Sequence, residues 1–151
     1  MMEQVILVDE QDNPIGLMEK HAAHIEPHLH RAFSIFLFNS KGELLMQQRA
    51  LSKYHSPGLW TNTCCSHPRQ GETLEEATAR RLQEEMGMTC DMHEVFTFIY
   101  KAPVGLGLTE HEFDHVWFGQ SDTTPIINTD EVESWKYMSL DDITDDMKAH
   151  P

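Results

Sequence analysis

The chain has 151 residues, enough for one domain with a real hydrophobic core. At 40% hydrophobic and 24% charged, it reads as an ordinary globular protein and not a disordered one. A formal net charge of −14 without a basic tail argues against nucleic acid and membranes as partners, and no apolar run approaches membrane-spanning length.

The amino terminus, MMEQVILVDE, lacks the basic and long apolar regions of a signal peptide, so a cytoplasmic location is expected. Gln4 to Val8 predicts a short apolar strand, followed by a turn at DNPIG. Met18 to His24 predicts a helical turn. Ala32 to Phe38 predicts a strand buried on both faces, Asn39 to Gly42 a hairpin turn, and Glu43 to Arg49 the returning strand. The clearest helix is Leu74 to Met86: Thr73 is its N-cap, Glu76 completes a capping box, and Gly87 supplies a left-handed stop. Leu74, Ala77 and Leu82 can face the core. Val95 to Tyr100, Thr109 to Phe118 and Val132 to Met138 predict further strands. Ser139 opens a last helix, Leu140 to His150, with acids in its first turns. The expected fold class is α/β or α+β, a sandwich with a mixed β-sheet flanked by helices.

Three cysteines, Cys64, Cys65 and Cys90, make a poor disulfide framework, being odd in number with two adjacent. Ten histidines are more than composition leads one to expect. Glu110 and Glu112, two apart on a predicted strand, point to one face, and two such carboxylates repel unless they share a cation or a proton.

The stretch SHPRQGETLEEATARRLQEEMGM, Ser66 to Met88, resembles the Nudix box. Glu72, Arg80, Leu82, Glu84, Glu85, Gly87 and Met88 fall at its spacings. Ser66 stands where the first Gly belongs, and Arg81 where an acid belongs. Carboxylates along one helix edge hold Mg²⁺, and Mg²⁺ holds a diphosphate. The plainer alternative is a solvated acidic helix with Arg80–Glu84 and Arg81–Glu85 pairs. A cation at position 81 weakens a hydrolytic metal cluster and offers a phosphate contact instead.

Upstream, PGLWTNTCCSHP, Pro57 to Pro68, resembles the PGxWTNxxCxHP motif of type 1 isopentenyl diphosphate isomerases. Arg49 to Lys53, Glu19-Lys20 with Ala22 to His24, and Glu110 to Glu112 match in family order, so that the likeness spans roughly residues 4 to 145. The resemblance implies a Nudix-like sandwich forming one isomerase domain. It implies a metal site of His24, His30, His67, Glu110 and Glu112, a donor set suited to Zn²⁺ or Mn²⁺ and not Ca²⁺. Pro27 can turn the chain to bring His24 and His30 together. His21, His28, His55, His93, His111, His115 and His150 are expected to be ordinary residues.

By chemistry alone a cysteine is more often a small buried hydrophobe. The Cys65-x-His67 spacing and the resemblance make Cys65 the acid–base thiol, its pKa lowered by a nearby metal, with Cys64 as packing. The implied reaction moves the double bond of isopentenyl diphosphate through a tertiary carbocation, so it needs an acid and a base on opposite alkene faces. Cys65 and Glu112 fill those roles and Tyr100 assists proton delivery. Lys20, Arg49, Lys53, Arg80 and Arg81 would bind the diphosphate of this small prenyl substrate. Mg²⁺ would sit between that diphosphate and Glu85, with the Cys65 carbonyl. Aromatic faces stabilise the cation, and Trp60 can form one wall. The family's carboxyl-terminal tryptophan has no match before Pro151, Trp135 lying too early, which implies a shortened chain. A Nudix pyrophosphohydrolase and a non-catalytic metal or prenyl-diphosphate binder are the competing readings, and the oligomeric state is left open.

Overall fold

The computed structural model describes residues 3–53, 56–105 and 107–149. Its elements run β1 (Gln4–Val8), β2 (Pro14–Glu19), α1 (Lys20–Ile25), β3 (His30–Phe38), β4 (Leu44–Arg49), β5 (Trp60–Thr61), β6 (Cys64–Ser66), α2 (Leu74–Met86), β7 (Met92–Gly105), β8 (Leu108–Gln120), β9 (Val132–Met138) and α3 (Leu140–Ala149). Among the described residues no helix is long and apolar enough to cross a membrane.

Strand β3 organises the sheet. Along one edge it runs parallel to β8, from His30 opposite Glu112 to Phe38 opposite Gln120. Along the other it meets three antiparallel partners in turn: β1 at His30, β6 at Phe33 to Ile35, and β4 at Phe38. β2 extends β1, β7 extends β8, and β9 and β5 flank β4. The sheet is therefore mixed, and with three helices the class is α+β, as expected.

The alternation of side chains along β3 and β6 divides the molecule. Phe33, Ile35, Leu37 and Cys64 enter the core, together with Ala77, Leu82 and Met86 of α2. Leu74 packs against its edge. Burying Leu82 and Met86 contributes roughly 1.5–3 kcal/mol each. Ser34 and Cys65, paired across β3 and β6, belong to the opposite face.

Local chemistry sets the bounds of α2. Thr73 accepts from the Glu76 amide while Glu76 reaches back to the Thr73 amide, and Gly87 closes the helix at φ 62°. A Cβ at Gly87 would lie 2.3 Å from the Ile126 carbonyl oxygen, so both conformation and space require glycine.

Three segments differ from expectation. Pro14 to Gly16, read as part of a turn, opens the edge strand β2, where a proline at the first position forfeits no ladder bond. Met18 and Glu19 complete that strand, and α1 starts only at Lys20, capped by the Glu19 carboxylate. The strands β5 and β6 were not anticipated, since runs of two and three residues carry no period and exist through their pairing with β4 and β3.

Candidate active site

The imidazoles of His24, His30 and His67 and the carboxylate of Glu112, all buried, bring their donor atoms within 4.8 Å of one another. Each comes from a different element: the end of α1, the first residue of β3, the residue after β6, and β8. A turn at Glu26-Pro27 joins α1 to β3 and carries the chain from His24 to His30. His24 Nδ1 lies 2.7 Å from the Lys20 carbonyl, and His30 Nδ1 lies 2.9 Å from the His28 carbonyl. A carbonyl can only accept, so both Nδ1 atoms carry a proton, which turns each Nε2 toward the cluster as the atom able to meet a cation or the Glu112 carboxylate. His30 Nε2 is 3.2 Å from His67 Nε2, which in turn is 3.0 Å from Glu112 Oε2. Two ring nitrogens and a carboxylate oxygen converging this closely fit a shared divalent cation, with backbone carbonyls orienting the rings from behind.

Electrostatics follow from burial. Burial holds His67 down at about 4 and also lowers His24, leaving both neutral and fit to be ligands. Burial works against a charge on Glu112, yet hydrogen bonds with His30 and His67 keep its carboxyl well below the usual range. Glu110 goes the other way: burial and the neighbouring Glu112 charge raise it to about 8. Tyr100 donates to both, at 2.5 Å to Glu112 Oε1 and 3.3 Å to Glu110 Oε2, and burial and these carboxylates hold its phenol protonated. Glu110 thus stands beside the four-donor group and not within it.

A cavity of about 300 Å³ opens over this cluster, with Cys65, His67, Glu110 and Glu112 in its wall. Four cations line it: Lys20, Arg49, Lys53 and Arg81. Lys53 and Arg81 both reach Glu131, and Arg81 also meets Glu85 at 2.9 Å and Glu84 at 3.1 Å. Arg80 stands apart from its expected place among them. Its guanidinium is taken up by Glu72 at 2.7 Å, by Glu84 at 2.9 Å and by the His67 carbonyl at 3.4 Å. It ties the helix to its approach loop and does not line the cavity. Glu85 is buried, accepting from Gln47 at 3.1 Å and from the Cys64 thiol at 3.1 Å.

A second hollow, of about 400 Å³, shares Cys65, Arg49 and Glu110 with the first and is walled by Leu59, Trp60, Phe98 and Tyr100. Cys65 therefore stands where a cationic chamber meets an aromatic one. Its sulfur is 3.0 Å from Asn62 Oδ1 and 3.6 Å from Ser34 Oγ, and Ser34 donates to Asp114 at 2.8 Å. The expected lowering of the Cys65 pKa is not what the protein groups do: although the residue is exposed at the cavity wall, desolvation by the surrounding protein outweighs its hydrogen bonds and pushes the thiol up. Asp114 is raised to about 7 by burial and by the Glu112 charge.

Sequence reasoning missed Asn62, Ser34, Asp114 and Glu131. Asp114 extends the acidic alternation Glu110, Glu112, Asp114 along β8, and Ser34 is a polar break in an apolar strand. Either signal was readable. Among the other histidines, His28 is exposed, its carbonyl meeting His30 and its ring lying 3.9 Å from Glu26, while His115 is buried between Asp12 and Glu94. His55 and His150 lie outside the described residues.

A NUDIX domain model matches residues 28–151. Among curated proteins, isopentenyl-diphosphate Delta-isomerase 2 of Aromatoleum aromaticum is 52% identical over 151 residues, covering 100% of this chain and 80% of that protein. The isopentenyl-diphosphate Delta-isomerase of Serratia proteamaculans is 50% identical, covering 100% of this chain and 84% of that one. Among solved structures, DR0079 from Deinococcus radiodurans superposes with a TM-score of 0.81 at 26% identity, over 98% of this chain and 90% of its own. The MutT protein from Methanosarcina mazei shares the fold, with a TM-score of 0.67 at 19% identity over 78% and 81% of the two chains.

Proposed function

The chain belongs to the NUDIX domain family and, within it, to the isopentenyl-diphosphate Delta-isomerases, and on that premise we propose that Cys65 and Glu112 carry out its double-bond shift. The enzyme converts isopentenyl diphosphate to dimethylallyl diphosphate, a step of isoprenoid biosynthesis. One proton is added to the terminal alkene carbon, giving a tertiary carbocation. Another is lost from the carbon nearer the diphosphate. Atoms balance without a redox partner.

The observation that carries this reading is the meeting of the two chambers at Cys65. Lys20, Arg49, Lys53 and Arg81 suit a diphosphate at one end. Leu59, Trp60 and Phe98 suit a five-carbon chain at the other, and their faces shield a carbocation from water. Cys65 from β6 and Glu112 from β8 reach the cavity from strands on opposite edges of β3, as an acid and a base acting on two faces require. Tyr100 orients the Glu112 carboxylate and holds the proton that passes to or from it.

His24, His30, His67 and Glu112 would hold a divalent transition ion, Mn²⁺ or Zn²⁺, with Glu110 beside them. Glu85, with the Cys65 carbonyl, would hold Mg²⁺ brought with the diphosphate. Bound there, the ions would fix Glu112 and neutralise phosphate charge. Arg81 argues for isomerisation over hydrolysis, because it sets a cation where a hydrolytic metal cluster needs a further acid, leaving Glu85 to hold a diphosphate-bound ion without completing that cluster. Cytoplasmic residence, where charged prenyl diphosphates are at hand, belongs to the same proposal.

The test is product analysis with isopentenyl diphosphate, Mg²⁺ and Mn²⁺. Dimethylallyl diphosphate should form, and Cys65→Ala and Glu112→Gln should each nearly abolish it while unfolding normally. Phosphate release without a double-bond shift, or full activity in either variant, would overturn the reading.

A further inference from the structure

Cys65 meets two polar neighbours, and neither has a hydrogen to give it. The amide of Asn62 is oriented by the backbone: its Nδ2 donates to the Ile35 carbonyl at 2.9 Å and to the Cys64 carbonyl at 3.2 Å. Turned the other way, Oδ1 would face two carbonyl oxygens, so the assignment of oxygen and nitrogen is fixed by the network. Oδ1 therefore points away from those carbonyls. It accepts from the Thr61 hydroxyl at 2.9 Å and from the Cys65 thiol at 3.0 Å. Ser34, directly opposite Cys65 in the β3–β6 pairing, commits its hydroxyl hydrogen to Asp114 Oδ2 at 2.8 Å. Towards the sulfur, 3.6 Å away, it presents only lone pairs.

We infer that Asn62 and Ser34 are positioning residues for the isomerisation: they form an acceptor cradle that fixes the Cys65 sulfur and the direction of its S–H bond at the junction of the two chambers. The inference rests on the reading of Cys65 as a catalytic group. A thiol is small and rotates freely about its Cα–Cβ bond. The single S–H hydrogen goes to the nearer acceptor, Asn62 Oδ1 at 3.0 Å, while the Ser34 oxygen at 3.6 Å bounds the sulfur on its other side, so the direction of the S–H bond is set before substrate arrives, which is the pre-organisation that proton transfer to a carbon centre needs. Asn62 and Ser34 line the aromatic hollow and not the cationic chamber, so their removal should act on the chemical step more than on substrate binding.

Isomerisation of isopentenyl diphosphate, with Mg²⁺ and Mn²⁺ supplied, is measured for the wild type, Asn62→Ala, Ser34→Ala, Ser34→Thr and Cys65→Ala. The S–H stretching band is read by infrared difference against Cys65→Ala. Asn62→Ala should lower kcat about tenfold, the worth of one hydrogen bond, with KM changed less than about threefold. Ser34→Ala should lower kcat less, and Ser34→Thr, which restores the hydroxyl, should recover it. The Cys65 S–H band should move to higher frequency in Asn62→Ala. An unmoved band, or a kcat that falls only in step with KM and thermal stability, would overturn the cradle and leave the reading of Cys65 standing. Undiminished activity in Cys65→Ala would overturn that reading and the cradle with it.

Discussion

Replacing Tyr100 by phenylalanine removes one oxygen and leaves the ring. The ring stays stacked on Phe98, with centroids 5.5 Å apart, so packing loses almost nothing. What disappears is the donor that meets Glu112 Oε1 at 2.5 Å and Glu110 Oε2 at 3.3 Å. Hydrogen bonds to charged groups contribute about 1.5–3 kcal/mol. If the bond to Glu112 keeps that worth in the transition state, kcat falls about 10- to 100-fold. The assay is steady-state conversion of isopentenyl diphosphate, with thermal unfolding run alongside. KM and the unfolding midpoint should move little, because no residue of the cationic chamber has changed. A kcat within about twofold of wild type would refute the place given to Tyr100.

Three further outcomes follow from the geometry. With chelator present, stability should fall as pH rises from 6.5 to 8. In that window the folded chain keeps a proton on Glu110, raised by burial and Glu112 to about 8, that the unfolded chain has lost from a group with an ordinary value of 4.5. Asp114, raised to about 7, adds in the same direction. The opposite contribution of His67, held down at about 4 against an ordinary 6.5, accrues mostly below this window and flattens within it. A thermal midpoint that rises from pH 6.5 to 8 would contradict this. Gly87→Ala should destabilise by about 1–3 kcal/mol, since φ 62° is strained for alanine and the new Cβ meets the Ile126 carbonyl oxygen at 2.3 Å. Denaturant melts would show it. Arg80→Ala should lower the thermal midpoint yet leave KM nearly unchanged, because its partners are Glu72, Glu84 and the His67 carbonyl; a large rise in KM would return Arg80 to the substrate.

The sequence was most legible where structure is local. The helix from Leu74 to Met86 is bounded by its own capping residues, and the strand from Val132 to Met138 by its flanking loops, and both ends of each were readable. Edge and fragment strands were not, because Pro14 to Glu19 and Cys64 to Ser66 are strands only through their neighbours. The site divides the same way. The alternation of Glu110 and Glu112 predicts a shared face from residue period alone. The gathering of His24, His30 and His67 has no such signature: their spacing in the chain says nothing of a fold that places α1, β3 and the end of β6 together, and resemblance supplied it. Arg80 and Arg81 were both assigned to the diphosphate, although only Arg81 departs from the Nudix pattern. A helical step of about 100° between neighbours turns one to the approach loop and the other to the cavity.

The double-bond shift requires a proton from solvent-exchangeable groups to reach the terminal alkene carbon. The direct measurement is isomerisation in D₂O followed by NMR. Deuterium should appear in a methyl group of dimethylallyl diphosphate, and incorporation should vanish in Cys65→Ala and in Glu112→Gln. Substrate bound by the wild-type protein with no deuterium in either prenyl diphosphate would contradict it.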